Sequence, residues 1–174
     1  QLDAGRQDLW GGNQYGSIFR RPVDGTGDWQ LINGGLKHVS VGPTDWVWGV
    51  NNADDIYRCK VQGACRGQWE QVPGKLKQID VGTDSVWGVN SNNMIYTRPV
   101  DGTGQWTNIP GNLKQVAVGD TAVYGINEGN QIFKCRKPCS GSWEKIQGNL
   151  KQLEVNNKTV IGTNNNGEVY SMPI

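Results

Sequence analysis

The stretch that decides the fold is Val86-Trp87-Gly88-Val89-Asn90-Ser91-Asn92-Asn93-Met94-Ile95-Tyr96, which recurs along the chain. Residues 48–57 and 124–133 are close copies of it, and residues 10–19 and 161–170 are more distant copies. A pattern that returns at a near-constant interval indicates a repeat architecture, in which each unit buries its apolar face against the next.

A second motif, Gly-x-Leu-Lys, sets the length of the repeat. Its lysines, Lys37, Lys77, Lys114 and Lys151, lie 40, 37 and 37 residues apart. We therefore expect a single domain over residues 1–174. The lysines divide that domain into the repeats 1–37, 38–77, 78–114, 115–151 and 152–174.

Each full repeat predicts four short strands. In the third repeat, apolar residues predict strands over 78–81, 85–90, 94–98 and 105–109, with turns rich in Gly, Asn and Asp between them. A four-stranded antiparallel unit of about 40 residues is typical of a propeller blade. No segment keeps the 3.6-residue apolar period of a helical repeat. The sequence therefore predicts an all-β fold, a β-propeller of four-stranded antiparallel blades.

The fifth repeat is shorter than the others. It predicts strands over 152–155, 159–164 and 168–172 but has no Trp-containing fourth strand, and residues 1–5 already read as the first strand of repeat one. We expect a five-bladed ring whose last blade has three strands. The alternative is a six-bladed ring whose first blade is missing from the sequence.

Charge and composition argue against several functions. The formal net charge is +1, which gives no field for nucleic acid. No apolar run approaches the roughly 18 residues that span a bilayer, so we expect no membrane insertion. The single histidine, His38, stands where other repeats have Gln78, Gln115 and Gln152. With no catalytic triad, no recurring carboxylate pair and no phosphate loop, we expect no enzyme, no catalytic residue, no cofactor and no metal.

Four cysteines form two close pairs, Cys59 with Cys65 and Cys135 with Cys139, at the same place in alternate repeats. A zinc site is one interpretation, since Cys-x3-Cys is near metal spacing. Two local disulfides are the favoured interpretation, because no histidine accompanies either pair. Disulfides indicate an oxidising compartment and hence a secreted, extracellular protein. The triplet at Asn157 is a glycosylation acceptor sequence.

The loops after the third strands alternate between two types. Residues 98–106 read Arg-Pro-Val-Asp-Gly-Thr-Gly-Gln-Trp, and residues 135–143 carry Cys-x3-Cys before the Trp. This alternation, on the frame Trp-Gly-Val-Asn and Gly-x-Leu-Lys-Gln, resembles the tectonin-repeat lectins, the family of a six-repeat horseshoe-crab tachylectin and of the fish-egg lectins. The family pattern has six repeats and an N-terminal strand that closes the ring, whereas this chain has five.

The resemblance implies a secreted, multivalent carbohydrate-binding propeller. Its ligands would be microbial or cell-surface glycans, such as N-acetylated hexosamines or lipopolysaccharide, recognised in innate defence. The competing interpretation is a protein-interaction propeller with no physiological sugar ligand. A homo-oligomer is compatible with either function.

The turns between the second and third strands are rich in asparagine, whose amide offers both a donor and an acceptor to sugar hydroxyls. In a propeller these turns share one face with the connections between blades, which carry the repeated lysines and could add charge for an acidic glycan. The candidate carbohydrate-binding residues are Asn13, Asn51, Asn52, Asp55, Asn90, Asn92, Asn127, Asn130, Asn164, Asn166, Lys37, Lys77, Lys114 and Lys151.

The tryptophans fall into two repeated classes, one in the second strand and one at the start of the fourth, and both are predicted to pack between blades. Trp46 is out of register, in the turn before the second strand of repeat two, and is predicted to be an exposed, ligand-binding aromatic. The opposite face carries a second candidate set for anionic groups: Arg21, Asp24, Arg98 and Asp101.

Overall fold

A computed structural model describes residues 1–61, 65, 68–156 and 158–174. These residues form nineteen strands. Their bounds are β1 (Leu2–Ala4), β2 (Asp8–Gly12), β3 (Ile18–Pro22), β4 (Gln30–Ile32), β5 (His38–Val41), β6 (Trp46–Val50), β7 (Asp55–Lys60), β8 (Glu70–Lys75), β9 (Gln78–Val81), β10 (Ser85–Val89), β11 (Ile95–Pro99), β12 (Thr107–Ile109), β13 (Gln115–Val118), β14 (Ala122–Ile126), β15 (Gln131–Arg136), β16 (Glu144–Asn149), β17 (Gln152–Val155), β18 (Thr159–Thr163) and β19 (Val169–Pro173).

The strands pair in chain order into five antiparallel sheets. Four sheets have four strands, β1–β4, β5–β8, β9–β12 and β13–β16, and the fifth has the three strands β17–β19. The first strand of each sheet lies beside a central channel, which residues from all five sheets line. The chain is thus all-β and adopts a five-bladed β-propeller, which confirms the predicted fold class. Among the described residues there is no helix, and hence no helix that could cross a membrane.

Apolar side chains fill the wedges between neighbouring blades. The second-strand aromatics Trp10, Trp48 and Tyr124 have no exposed surface, and Trp87 is 4% exposed. The leucine of each Gly-x-Leu-Lys connection is also buried, at Leu36, Leu76, Leu113 and Leu150. The prediction that the second-strand aromatics pack between blades is therefore confirmed.

The fourth-strand tryptophans join each blade to the one before it. The indole N–H of Trp69 donates to the carbonyl oxygen of Asn33 (2.8 Å), that of Trp106 to Pro73 (3.0 Å) and that of Trp143 to Pro110 (2.8 Å). Each ring lies against a glycine of the preceding blade, namely Gly34, Gly74 and Gly111. A Cβ at Gly111 would come within 2.6 Å of the Trp143 indole nitrogen, so the close approach requires glycine.

Blades one and five differ from the others in their outward faces. Leu31 of blade one is 64% exposed and Val169 of blade five is 70% exposed. Trp29, the blade-one member of the fourth-strand class, is 43% exposed. Within the described ranges no hydrogen bond joins blade five to blade one.

Both cysteine pairs are disulfide-bonded, Cys59 to Cys65 and Cys135 to Cys139, with Cα atoms 5.4 and 5.5 Å apart. The disulfide prediction is confirmed, and the zinc interpretation of these cysteines is wrong. Each bond closes the loop that follows the third strand of its blade. The predicted glycosylation residue Asn157 lies outside the described residues.

A repeated glutamine links the first strands around the channel. The Gln1 side chain donates to the Val39 carbonyl oxygen (2.7 Å) and accepts from the Val39 N–H (3.0 Å). Gln78 makes the same pair of bonds to Val116 (2.9 and 3.0 Å), and Gln115 makes it to Leu153 (2.8 and 3.3 Å). Each bidentate contact holds one blade to the next at the centre of the ring.

His38 occupies the glutamine position in blade two and makes neither bond. Within the part of the chain that the structure describes, its Nδ1 atom has no hydrogen-bond partner. Burial, together with the charges of the N-terminal amine and Lys37, lowers the pKa of His38 to about 4. The imidazole is therefore neutral at pH 7, and this junction lacks the glutamine link, although the Ser40 hydroxyl still bonds Asp80 (2.8 Å) and the Val81 N–H (3.0 Å) across it.

We predict that His38→Gln stabilises the protein. The amide would bond the backbone of Ile79 as Gln78 bonds Val116, and two new hydrogen bonds would raise the free energy of unfolding by about 1 kcal/mol. Urea unfolding at pH 7 measures this change. His38→Leu is the control, since it removes the imidazole without adding the amide. A glutamine variant no more stable than the leucine variant would contradict the prediction.

Candidate functional site

The asparagine face of the propeller carries the turns between second and third strands, at residues 13–17, 51–54, 90–94, 127–130 and 164–168. Between blades two and three this face holds a groove of about 280 Å³. Its lining includes Tyr96, Trp106, Asn90 and Lys75. Two aromatic side chains, an amide and an ammonium group therefore meet in one concave site.

Strand alternation places the two aromatic walls. Ile95 of β11 is fully buried, so its neighbour Tyr96 points to the opposite face of the sheet and remains half-buried. Trp106 stands directly before β12, and its hydrogen bond to Pro73 fixes the indole beside Gly74. The Trp106 ring also meets Trp48 edge to face, with ring centroids 6.2 Å apart. Both walls are thus held rigidly by the packing of the blades.

Asn90 supplies the free amide of the groove. Its Oδ1 accepts from the N–H groups of Asn92 (3.0 Å) and Met94 (2.9 Å), which fixes the side chain in the turn. Its Nδ2 donates to no protein atom among the described residues. One oriented N–H2 donor consequently remains for a ligand.

Lys75 stands at the edge of the groove as part of an ion pair. Its Nζ donates to Asp55 Oδ1 (2.6 Å) and to the Ala53 carbonyl oxygen (2.9 Å). The hydrogen bonds from Lys75 and then Asn51 hold the pKa of the Asp55 carboxyl below its ordinary value. The pair is neutral overall, so the groove suits uncharged polar ligands.

The pair of aromatic walls recurs at other blade junctions, but the free amide does not, because Asn51 Nδ2 donates to Asp55 (3.2 Å) and Asn127 Nδ2 donates to Gln131 (2.9 Å). Tyr57 and Trp69 pack against one apolar cluster at the junction of blades one and two, and Phe133 and Trp143 pack against another at that of blades three and four. In blade one, Phe19, Trp29 and Asn13 line an open depression of about 340 Å³. The third-strand aromatics were not among the predicted site residues. Their signal is the residue after the third-strand Ile or Val, which is aromatic in all five repeats.

Most of the predicted asparagines maintain their turns. The Oδ1 atoms of Asn13, Asn51, Asn127 and Asn164 accept backbone N–H groups two to four residues ahead, as Asn90 does. The last turn position has a left-handed backbone in Asp54, Asn93 and Asn130, with φ near 62–63°. Asparagine tolerates this conformation better than most residues, which explains its repetition.

The structure spreads the predicted polar residues around the asparagine face. Lys37 bonds Asp54, Lys77 bonds Asn93 and Lys114 bonds Asn130, so these ammonium groups tie blade connections to turns. Asn52, Asn92, Asn166 and Lys151 are exposed. Of the predicted set, Asn90 alone lines the groove between blades two and three.

The turn predicted for Trp46 is wrong, whereas its role in ligand binding stays a prediction. The residue is the first of strand β6, not part of a turn, and it lies at the end of the blade away from the asparagine face. Its ring is half-buried beneath the Arg58 guanidinium, 4.5 Å from the ring centroid, and Lys60 lies 5.3 Å away. Stacking of these cations covers the indole.

The candidate anionic site on the opposite face consists of internally bonded loops. Arg98 Nη2 donates to the carbonyl oxygen of Gly104 (2.7 Å), and Asp101 accepts from the backbone and hydroxyl of Thr103 (2.9 and 2.7 Å). These Thr103 bonds lower the pKa of Asp101. Arg21 and Asp24 bond within their own loop in the same way. The four side chains thus hold two hairpins in shape.

Three carboxyl groups converge on the central channel: Asp3, Asp80 and Glu154. Asp80 Oδ2 accepts from the Val118 N–H (2.6 Å) and its Oδ1 from the Ser40 hydroxyl (2.8 Å). Burial and the nearby Asp3 charge raise the pKa of Asp80 to about 7. Glu154 keeps exposed surface, but partial desolvation of its carboxyl in the channel and the charges of Asp80 and Asp3 raise its pKa to about 9.

These raised pKa values predict that stability falls as pH rises. Between a carboxyl's ordinary pKa and its folded pKa the folded state binds more protons, so the free energy of unfolding decreases with pH. The lowered pKa of His38 has the opposite effect, because it makes the free energy of unfolding rise with pH, but only between pH 4 and 6.5. From pH 7 to 9 the Glu154 contribution dominates, and Glu154→Gln should flatten the slope.

The measurement is urea unfolding of both proteins at several pH values from 7 to 9. Glu144→Gln is the matched control, because Glu144 is exposed on β16, away from the channel. It should keep the slope of the unmodified protein. An equal slope in the Glu154 variant would contradict the assignment.

The fold and the repeated aromatic grooves define a β-propeller built of internal repeats. The chain belongs to the tectonin family, since the Tectonin domain model matches residues 1–173. It is 38% identical over 111 residues to the fish-egg lectin of Cyprinus carpio, a match that covers 56% of this chain and 46% of the relative. It is 40% identical over 70 residues to Tectonin-1 of Physarum polycephalum, covering 39% and 30%. The match thus covers less than half the length of either relative.

Solved structures share the fold at low sequence identity. The chain superposes on a chain of the nidogen/laminin complex with a TM-score of 0.77 at 14% identity, covering 99% of this chain and 75% of that one. For the structure of Kap60 bound to yeast RCC1 (Prp20), the TM-score is 0.71 at 10% identity, with coverages of 99% and 55%. These likenesses support the propeller architecture.

Proposed function

We propose that this chain is a multivalent, non-catalytic carbohydrate-binding propeller. The observation that carries the proposal is the groove between blades two and three, where Tyr96 and Trp106 form two aromatic walls beside the free amide of Asn90. Family membership and the 38% identity to a fish-egg lectin support the same function.

The groove chemistry suits a pyranose ring. The apolar face of a sugar packs against an aromatic side chain, while its hydroxyl or acetamido groups need donors and acceptors at the edge. Tyr96 and Trp106 offer the aromatic surface. Asn90 Nδ2 and the Tyr96 hydroxyl offer the polar groups at the edge. An N-acetylated hexosamine combines an apolar ring face with an acetamido carbonyl that the Asn90 amide can bond.

Several grooves on one ring can bind a glycan-bearing surface more tightly than one groove can. Junctions one–two, two–three and three–four each pair a third-strand aromatic with a fourth-strand tryptophan on the same face of a rigid ring. Several weak sites that face one way gain avidity on a surface that displays many copies of a glycan. Microbial surfaces and their lipopolysaccharide are such arrays, so recognition of microbes in innate defence is the biological role that we propose.

The two disulfides support an extracellular location, because they persist in oxidising compartments. We therefore place the protein outside the cell, where the proposed glycan ligands are displayed.

A glycan array that includes N-acetylhexosamines and purified lipopolysaccharides tests the proposal. Tyr96→Ala removes one wall of the groove and should weaken binding of immobilised glycan by roughly three- to tenfold, since the other junctions retain their sites. Tyr15→Ala is the matched control: Tyr15 is exposed on the asparagine face but outside the groove, and its loss should change nothing. Absence of binding to every glycan and lipopolysaccharide would overturn the proposal.

A further inference from the structure

Two Asn-Gly pairs occur in the chain, Asn33-Gly34 and Asn166-Gly167. A glycine after asparagine favours loss of ammonia from the asparagine side chain, because no Cβ keeps the glycine backbone nitrogen away from the asparagine Cγ. Both asparagines are exposed, Asn33 directly after β4 and Asn166 in the turn between β18 and β19. The two pairs thus share one chemistry and differ only in their surroundings.

The fold treats the two glycine nitrogens differently. Within the described ranges, neither the Gly34 N–H nor the Asn33 side chain makes a hydrogen bond. In contrast, the Gly167 N–H donates to the Asn164 carbonyl oxygen (3.2 Å), and the Asn166 N–H donates to the Asn164 side chain (2.9 Å). One pair is therefore tied into a hydrogen-bonded turn, and the other can bring its glycine nitrogen to the side chain.

Asn33 also lies where two blades meet. Its carbonyl oxygen accepts the Trp69 indole N–H (2.8 Å), and a Cβ at Gly34 would come within 2.6 Å of the indole nitrogen. The equivalent positions in the next three repeats hold Pro73, Pro110 and Gln147. Proline has no side-chain amide, and glutamine has to close a six-membered ring, which forms more slowly than a five-membered one. In this series of four positions, rapid loss of ammonia is thus limited to the junction of blades one and two.

We propose that Asn33 is a site of spontaneous deamidation and isomerisation, and that its isoaspartate product loosens the junction of blades one and two. The Gly34 nitrogen bonds to Asn33 Cγ and gives up its proton, and the side-chain nitrogen leaves with that proton as ammonia. The product is a five-membered succinimide. Water then adds to one of the two ring carbonyls and breaks the bond of that carbonyl to nitrogen. Opening at Cγ gives aspartate, and opening at the original main-chain carbonyl gives isoaspartate.

The two products differ in what they do to the Trp69 contact. Aspartate keeps the original backbone and adds one negative charge. In isoaspartate the main chain runs through the Cβ and Cγ of residue 33, so an extra methylene group precedes Gly34. The oxygen that accepted the indole N–H then belongs to a carboxylate outside the main chain. Because the indole leaves no room for one more carbon at Gly34, the longer backbone separates the glycine from the ring.

Ageing of the full 174-residue chain at pH 8 tests the reactivity of Asn33. Mass spectrometry of tryptic peptides follows the gain of about 1 Da that accompanies replacement of the amide NH2 by OH. We expect Asn33 to react about fivefold faster than Asn166 in the folded chain, because the Gly167 hydrogen bond must first open. Asn33→Gln is the matched control, and the mass of its peptide should stay constant.

Ageing in urea shows whether the fold sets this difference. In the unfolded chain the two Asn-Gly pairs should react at similar rates, since neither is then held in a turn. Equal rates in the folded chain would overturn the assignment of Asn33 as the favoured site. A difference that persists unchanged in urea would overturn it as well, because the sequence alone would then explain it.

The effect on the junction is measured on the isoaspartate form, which is separated by chromatography and identified by enzymatic methylation of its free α-carboxylate. We expect its midpoint of urea unfolding to lie about 0.5 M below that of the unaged chain, because the Trp69 hydrogen bond and ring contact are weakened. Asn33→Asp is the matched control, since it adds the charge without changing the backbone, and it should keep the original midpoint. An isoaspartate form as stable as the Asn33→Asp variant would contradict the loosening of the junction.

Discussion

The contact on which the structure depends is that of a tryptophan ring with a glycine of the preceding blade. It occurs for Trp69, Trp106 and Trp143, each time with an indole hydrogen bond to a carbonyl oxygen. The ring fills the space that a side chain would take, so it sets the distance between blades. The same ring forms one wall of the groove between blades. One tryptophan side chain therefore both holds the blades together and lines the candidate site.

The centre of the ring is held by a second set of contacts, between a side chain of one first strand and the backbone of the next. Glutamine amides make bidentate bonds at three of these junctions, and the half-buried Asp80 accepts further bonds from Ser40 and Val118. The carboxyl groups that share the channel repel one another when they ionise, which lowers the free energy of unfolding. His38 interrupts the glutamine series, and at the blade-two to blade-three junction the Ser40 hydroxyl makes the central bonds, to Asp80 and the Val81 N–H.

Strand order and turn chemistry could be predicted from the sequence because they are local. Residues 78–81 and 152–155 form strands with the predicted bounds, since alternation and Gly- or Asn-rich turns determine them. The groove could not be predicted in this way, because it combines Tyr96 and Trp106 of one blade with Gly74 and Lys75 of another. The turn predicted for Trp46 was wrong because β6 already begins at this residue, whose ring lies under Arg58. The lysine contacts to Asp54, Asn93 and Asn130 likewise depend on the packing of adjacent blades.

We propose a saccharide site at the junction between blades two and three. A crystal structure of the chain soaked with N-acetylglucosamine tests it most directly. We predict a sugar ring within about 4 Å of the Tyr96 and Trp106 side chains, with its acetamido oxygen bonded to Asn90 Nδ2. A sugar bound in the central channel or beside Arg98, with the groove between Tyr96 and Trp106 empty, would contradict it.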